Sequence, residues 1–148
     1  MPSRTKTHQR PADAFLAIVR AAEELQRGAA ELFKEHDLSP AQYNVLRILR
    51  GAGPEGATCS DVAGSLIQHD PDVTRLLDRL DARGLIERGR DAKDRRVVRT
   101  KITKAGTALL AELDAPVAAL HTRQLGHVSD KRLDELVALL DEARAGRS

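Results

Sequence analysis

The chain has 148 residues, with 24 Lys or Arg against 22 Asp or Glu, and is 41% hydrophobic and 31% charged; that balance suits one folded, helix-rich domain with a real core and excludes a disordered chain. No apolar run approaches a membrane span, and residues 1–11 lack the apolar middle of a secretory signal, so a cytoplasmic protein with no membrane partner is expected. The single cysteine, Cys59, rules out an internal disulfide and a multi-cysteine zinc site, and Phe15, Phe33 and Tyr43 are too few aromatics for a platform that stacks unpaired bases.

Residues 1–11 read as a polar tail carrying Arg4, Lys6 and Arg10, either frayed or reaching DNA or a partner subunit. From Ala12 to about His36 a long helix is predicted, because Phe15, Ile18, Ala22, Leu25, Ala29 and Leu32 recur at spacings of three and four. Such a seam serves one subunit's core, a meeting with a second subunit, or some of each. Asp37-Leu38 turns the chain, and Ser39-Pro40-Ala41-Gln42 is a capping box with proline at the first helical position. The helix it starts carries Tyr43, Val45, Leu46, Ile48 and Leu49 on most of its sides, so burial is expected, and the run from Gly51 to Gly56 breaks it. Thr58 caps a third helix, with Asp61 favourably near its N-terminus and Val62, Ala63, Leu66 and Ile67 expected to face inward.

After the short link Gln68-His69-Asp70, a fourth helix pairs with the third. Asp70 is its expected cap, Pro71 its first residue and Gly84 its stop. Val73, Leu76, Leu77 and Leu80 share one face, and Thr74, Arg75, Asp78 and Arg79 the other. The period then changes to alternation. Leu85 to Arg90, a polar tip at 91–96 and Val97 to Ile102 predict a hairpin, with Val98, Thr100 and Ile102 on one side and Arg99 and Lys101 on the other. Between Arg83 and Lys104 nine Lys or Arg stand against three acids, a local +6 in a chain whose net charge is +2. Thr103 caps a helix running to about Gly126, with Leu110, Leu113, Val117 and Leu120 on one face and a bend expected near Pro116. Ser129 caps a last helix with a stripe of Leu133, Leu136, Val137 and Leu140.

A helix with a polar outward face followed at once by a basic hairpin suits a winged helix-turn-helix, in which the helix enters a major groove and the hairpin reaches a neighbouring backbone or minor groove. The run Asp94-Arg95-Arg96, followed by Ile102-Thr103-Lys104-Ala105-Gly106, resembles the D-x-R and L-T-x-x-G signature of MarR-type transcription regulators. Val73 to Leu80 and Arg83 to Arg88 resemble that family's recognition helix and first wing strand, and Ile102 stands where leucine is commoner. The resemblance implies a mainly helical fold with a small β wing: dimerisation helices at 12–36 and 107–145, and a DNA-binding lobe at 39–106. It further implies a homodimeric regulator, most often a repressor, on a pseudo-palindromic operator of double-stranded DNA. By the same resemblance Asp94 orients the wing tip and Arg96 enters the minor groove. Thr74, Arg75 and Arg79 are expected to read base edges, and Arg88, Arg90, Lys93 and Arg95 to meet phosphates. Many relatives answer to a small aromatic or phenolic ligand held between the dimerisation helices and the lobe; by location His36, Tyr43 and Arg47 would line that cleft.

The other chemistry is sparse. Cys59 opens a predicted helix, where a thiol can be activated. The family's peroxide sensors carry their cysteine in the first helix, however, and residues 12–36 contain none, so an inert thiol is expected. His8, His36, His69, His121 and His127 make no close ligand spacing, and neither metal nor cofactor is expected. The absence of a nucleophile elbow, a phosphate-binding glycine loop and HExxH argues against an enzyme. The competing class is a winged helix that binds protein instead of DNA, and only a DNA binder has duplex affinity that falls steeply with salt.

Overall fold

Short polar side chains at the helix starts set most of the element boundaries. In the computed structural model, which describes residues 9–146, the order is α1 (Gln9–Lys34), α2 (Pro40–Ala52), a 3-10 turn (Gly53–Glu55), α3 (Cys59–Ser65), α4 (Val73–Ala82), β1 (Ile86–Arg90), β2 (Val98–Ile102), α5 (Lys104–Leu125) and α6 (Asp130–Ala145). Arg4, Lys6 and His8 lie outside the described residues, whereas Arg10, read as tail, belongs to the first turn of α1. The Ser39 hydroxyl accepts from the Gln42 N–H while the Gln42 side chain accepts from the Ser39 N–H. Thr58 and Asp61 do the same for α3. Each cap satisfies end donors that would otherwise lack partners, an effect of about 1 kcal/mol.

Two local expectations need correction. The cap of α4 is Asp72, which accepts from the Arg75 N–H at 3.0 Å, and not Asp70, which accepts from the Asp72 N–H at 2.8 Å. Two aspartates two residues apart can each cap, and the later one lets the buried Val73 open the helix. In α3 only Val62 is buried and Leu66 half-buried, while Ala63 and Ile67 are exposed. The helix stops at Ser65 and Leu66 continues as extended chain, so the helical period no longer governs Ile67. That residue, 84% exposed, is held by its N–H donating to Asn44 Oδ1 at 2.8 Å.

The core is built around α2, which packs against α1, α3, α4, α5 and β2. Val45, Leu46, Leu49, Val62, Leu77, Leu80, Ile86, Leu110 and Leu113 fill it. The wing is a two-stranded antiparallel ribbon in which Ile86 faces Ile102, Arg88 faces Thr100 and Arg90 faces Val98. Its base is extended by Ala57, which exchanges both backbone hydrogen bonds with Thr100. Gly84 turns the chain from α4 to β1 with φ +70, a conformation that glycine adopts without strain. The Thr103 hydroxyl donates to the Gly84 carbonyl at 2.7 Å and its N–H to the Leu85 carbonyl at 3.1 Å, so the start of α5 is stitched to the foot of the wing.

Helix α5 continues through Pro116, with Leu110, Leu113, Val117 and Leu120 buried. It is tied to α2 by a two-fold Arg50–Asp114 ion pair at 2.9 and 3.0 Å, and to α1 by Gln124 Nε2 donating to the Leu25 carbonyl at 3.0 Å. Arg50 holds the Asp114 carboxyl below the ordinary carboxylate range, first through the hydrogen bond and then through charge. A carboxyl depressed in the folded state contributes stability above its unfolded pKa, and that contribution disappears as pH falls through the folded value. An Asp114→Asn variant is therefore expected to show a flatter acid limb in melting temperature against pH. An unchanged acid limb would contradict the pairing.

The seam of α1 divides along its length. Ala22, Leu25, Ala29 and Leu32 are half-buried and Phe33 is buried against the rest of the chain, but Phe15, Leu16, Ile18 and Val19 are exposed. At the other end α6 has no buried residue, and Leu136, Val137 and Leu139 are exposed. No helix of the described residues is long and apolar enough to cross a membrane.

Candidate nucleic-acid interface

One amphipathic helix and one hairpin carry the expected DNA-contact residues. Because Val73, Leu76, Leu77 and Leu80 anchor α4 in the core, Thr74, Arg75, Asp78 and Arg79 are left exposed on its other face. Neither Arg75 nor Arg79 has an ion-pair partner among the described residues. Both border a shallow groove beside the start of α2, lined also by Ser39, Gln42, Asp70 and Asp72.

The wing tip is shaped by two aspartates. Asp91 accepts from the Lys93 N–H at 2.9 Å and from Arg99 Nε at 2.9 Å, and these partners hold its carboxyl below the ordinary range, the Lys93 backbone bond contributing most. Asp94 accepts from the Arg96 N–H at 3.1 Å and from Arg96 Nε at 3.2 Å. The Arg96 side chain nevertheless stays 91% exposed, so its guanidinium is steadied from behind and projects outward. Arg90 curls back to donate to the Arg95 carbonyl at 2.8 Å, and Lys93 and Arg95 are exposed.

Arg88 departs from that pattern. It bonds to Asp78 and Asp81 of α4 rather than projecting to solvent. Sequence reasoning missed these acids as partners, together with Asp91 and Arg99 at the tip and Arg83. Arg83 donates to the Asp37 and His36 carbonyls at 2.6 and 3.3 Å, joining the end of α4 to the α1–α2 turn. The signal for Arg88 was present in strand parity, since it stands two residues from the buried Ile86 and so shares its face.

Of the three residues expected at a ligand cleft, Tyr43 and Arg47 touch each other, whereas the His36 carbonyl accepts from Arg83 instead. The Tyr43 ring is buried and stacked on Phe33, with centroids 4.1 Å apart and planes at 21°. Its hydroxyl accepts from Arg47 Nη1 at 3.2 Å. Cys59 is exposed at the first position of α3. No group of three His, Cys, Asp or Glu placed to hold a metal occurs among the described residues.

The profile of the MarR family matches residues 36–97. A MarR transcription factor from Planctomyces limnophilus, known from its crystal structure, is 40% identical to this chain; the match covers 95% of this chain and 98% of that one, with a TM-score of 0.70. A mutant MarR from E. coli, crystallised in complex with operator DNA, is 25% identical over 95% of this chain and 99% of its own, with a TM-score of 0.78. CouR from Rhodococcus jostii RHA1, crystallised bound to p-coumaroyl-CoA, is also 25% identical, over 92% and 94% of the two chains, with a TM-score of 0.78.

Proposed function

Since the chain belongs to the MarR family of transcription regulators, we propose that it acts in the cytoplasm as a homodimeric repressor that reads a pseudo-palindromic operator in double-stranded DNA. The carrying observation is the pair of arginines on the outer face of α4 that have no ion-pair partner among the described residues, beside a wing whose tip arginine is held by Asp94 yet stays 91% exposed. In this reading Thr74, Arg75 and Arg79 meet base edges in the major groove, where each base pair presents its own donor and acceptor pattern. Arg96 enters the adjoining minor groove, oriented by Asp94, and Arg90, Lys93 and Arg95 lie along phosphates. The lobe at 39–106 does the reading, and the helices at 12–36 and 107–145 supply the subunit contact, supported by the exposed apolar faces of α1 and α6.

The test is to select bound fragments from the source genome and then measure operator and random-duplex affinity for variants across a salt series. Arg75→Ala is expected to weaken operator binding by about 1 to 3 kcal/mol and to relax preference at particular base pairs. Arg95→Ala should weaken all sequences alike and flatten the salt dependence by about one unit, the share of a single phosphate. If the two variants lower both affinities by one common factor, α4 is not reading bases.

We further propose that a small aromatic or phenolic ligand relieves repression by binding near Tyr43, Arg47 and His36. The buried phenol and its arginine partner lie where α1 meets the lobe, and a relative binds a coumaroyl thioester. Such a ligand must prefer one arrangement of the two lobes over the other. A panel of aromatic acids and phenols is expected to contain at least one compound that raises the melting temperature and lowers operator affinity. A panel that moves neither quantity would end the idea.

A further inference from the structure

Side chains opposite one another in an antiparallel ribbon share a face. Arg88 lies opposite Thr100, which is only 1% exposed, and, two residues along the strand, shares the face of Ile86, which is buried opposite Ile102. Arg88 therefore leaves β1 on the inner side, toward the helices, and not on the side shared by Glu87 and Lys101. There all three of its guanidinium nitrogens are engaged: Nη1 with Asp78 Oδ1 at 2.7 Å, and Nε and Nη2 with Asp81 Oδ2 at 3.1 and 2.9 Å. Its side chain is 29% exposed, against 91% for Arg96 at the tip. Asp78 stands on the outward face of α4, three residues beyond Arg75 and four beyond Thr74.

We propose that Arg88 is a positioning residue for DNA recognition and not itself a phosphate contact. By bridging Asp78 and Asp81 it fixes the wing at one angle to α4 and offsets part of the negative charge of two carboxylates that would otherwise oppose the approach of phosphates. The planar fork of arginine suits this task because it spans two carboxylates in one plane, which a lysine ammonium cannot do. Exposed ion pairs of this kind contribute little to folding, so the effect belongs to binding. When helix and wing are held in register, both grooves are engaged at once on the right sequence. A loose wing still finds phosphates on any sequence. The inference rests on the DNA-binding reading above.

A mutant cycle tests it, using an operator selected from a random duplex pool by the wild-type protein, with affinities for that operator and for a random duplex measured across salt. Arg88→Ala is expected to lower operator affinity about tenfold, to change random-duplex affinity less, and to leave the melting temperature near that of the wild type. Arg88→Lys should lose nearly as much operator preference despite keeping its charge. In an Asp78→Asn, Asp81→Asn background, Arg88→Ala should have almost no further effect, because the residue acts through those acids. The clamp is overturned if Arg88→Ala costs as much in that background as in the wild type and flattens the salt dependence by about one unit, which marks a phosphate contact. It is also overturned if Arg88→Ala lowers the melting temperature and both affinities together. A wild-type protein that selects no duplex and binds none in a salt-dependent way overturns the regulator reading itself, a result distinct from either.

Discussion

A Phe15→Asp, Val137→Asp double variant is expected to sediment as a monomer at micromolar concentration and to bind the operator about 10²- to 10⁴-fold more weakly than the wild type. Phe15 is 64% and Val137 60% exposed in the single chain, and neither belongs to its core. Burying side chains of this kind against a second copy stabilises association by roughly 1.5 to 3 kcal/mol each. A carboxylate in either place would have to be buried without a partner, which costs far more than the apolar packing it replaces. The lobe keeps its fold because neither side chain contributes to its core. Affinity falls because the proposed dimer carries two reading heads. Once the first head is seated on its half-site, the second binds from an effective concentration set by the dimer, and a monomer lacks that advantage. Sedimentation velocity and a duplex titration check both parts. A variant that stays dimeric would place the subunit interface elsewhere.

The second large effect is expected inside one chain. Gly106→Val should destabilise the fold by about 3 kcal/mol, at the upper end for overpacking, with a matching loss of melting temperature. Gly106 is helical, so backbone freedom is not the reason it is glycine here; space is. A Cβ at this position would collide with the Leu85 carbonyl oxygen and lie 2.7 Å from Ile102 Cγ1. The carbonyl cannot yield easily, because it accepts the Thr103 N–H, and Thr103 is held in turn by the Gly84 carbonyl. Any side chain at residue 106 therefore pries α5 from the foot of the wing. Gly64 in α3 is the control, since it is helical, exposed and has nothing within 4 Å of an added Cβ. Gly64→Ala should stabilise by about 0.5 to 1 kcal/mol through lower chain entropy in the unfolded state. Urea unfolding of both variants decides the matter, and equal midpoints would remove the packing explanation.

Much of this is legible in the residues because it is local. The capping box at Ser39, the cap at Thr58, the four-residue leucine and valine stripes of α4 and α5, and the alternation after Gly84 each announce an element from near neighbours in sequence, and each element forms. The signature ending at Gly106 is equally visible, although its physical cause, the approach of Leu85, is not a property of neighbours in sequence. Competition and distance hide the rest. Asp70 and Asp72 offer two caps for one helix, and only packing of Val73 chooses between them. Ile67 keeps helical spacing with Ala63, yet the helix has already ended. Arg50 and Asp114 are 64 residues apart, and Arg83 meets a carbonyl 46 residues away, so no spacing rule could pair them. Arg88 misleads for another reason: its charge suggests solvent while its parity assigns it to the inner face.

Tyr43 is the chain's single tyrosine and there is no tryptophan, so the ultraviolet emission of each subunit comes almost wholly from one ring. That ring lies against Phe33 of α1, with its hydroxyl accepting a hydrogen bond from Arg47. The emission therefore watches the contact between α1 and α2. A compound seated at that junction, or a rotation of α1 that unstacks the pair, alters the lifetime and the quenching of the phenol. The protein thus contains a label-free optical probe, one per chain, at the contact between α1 and α2.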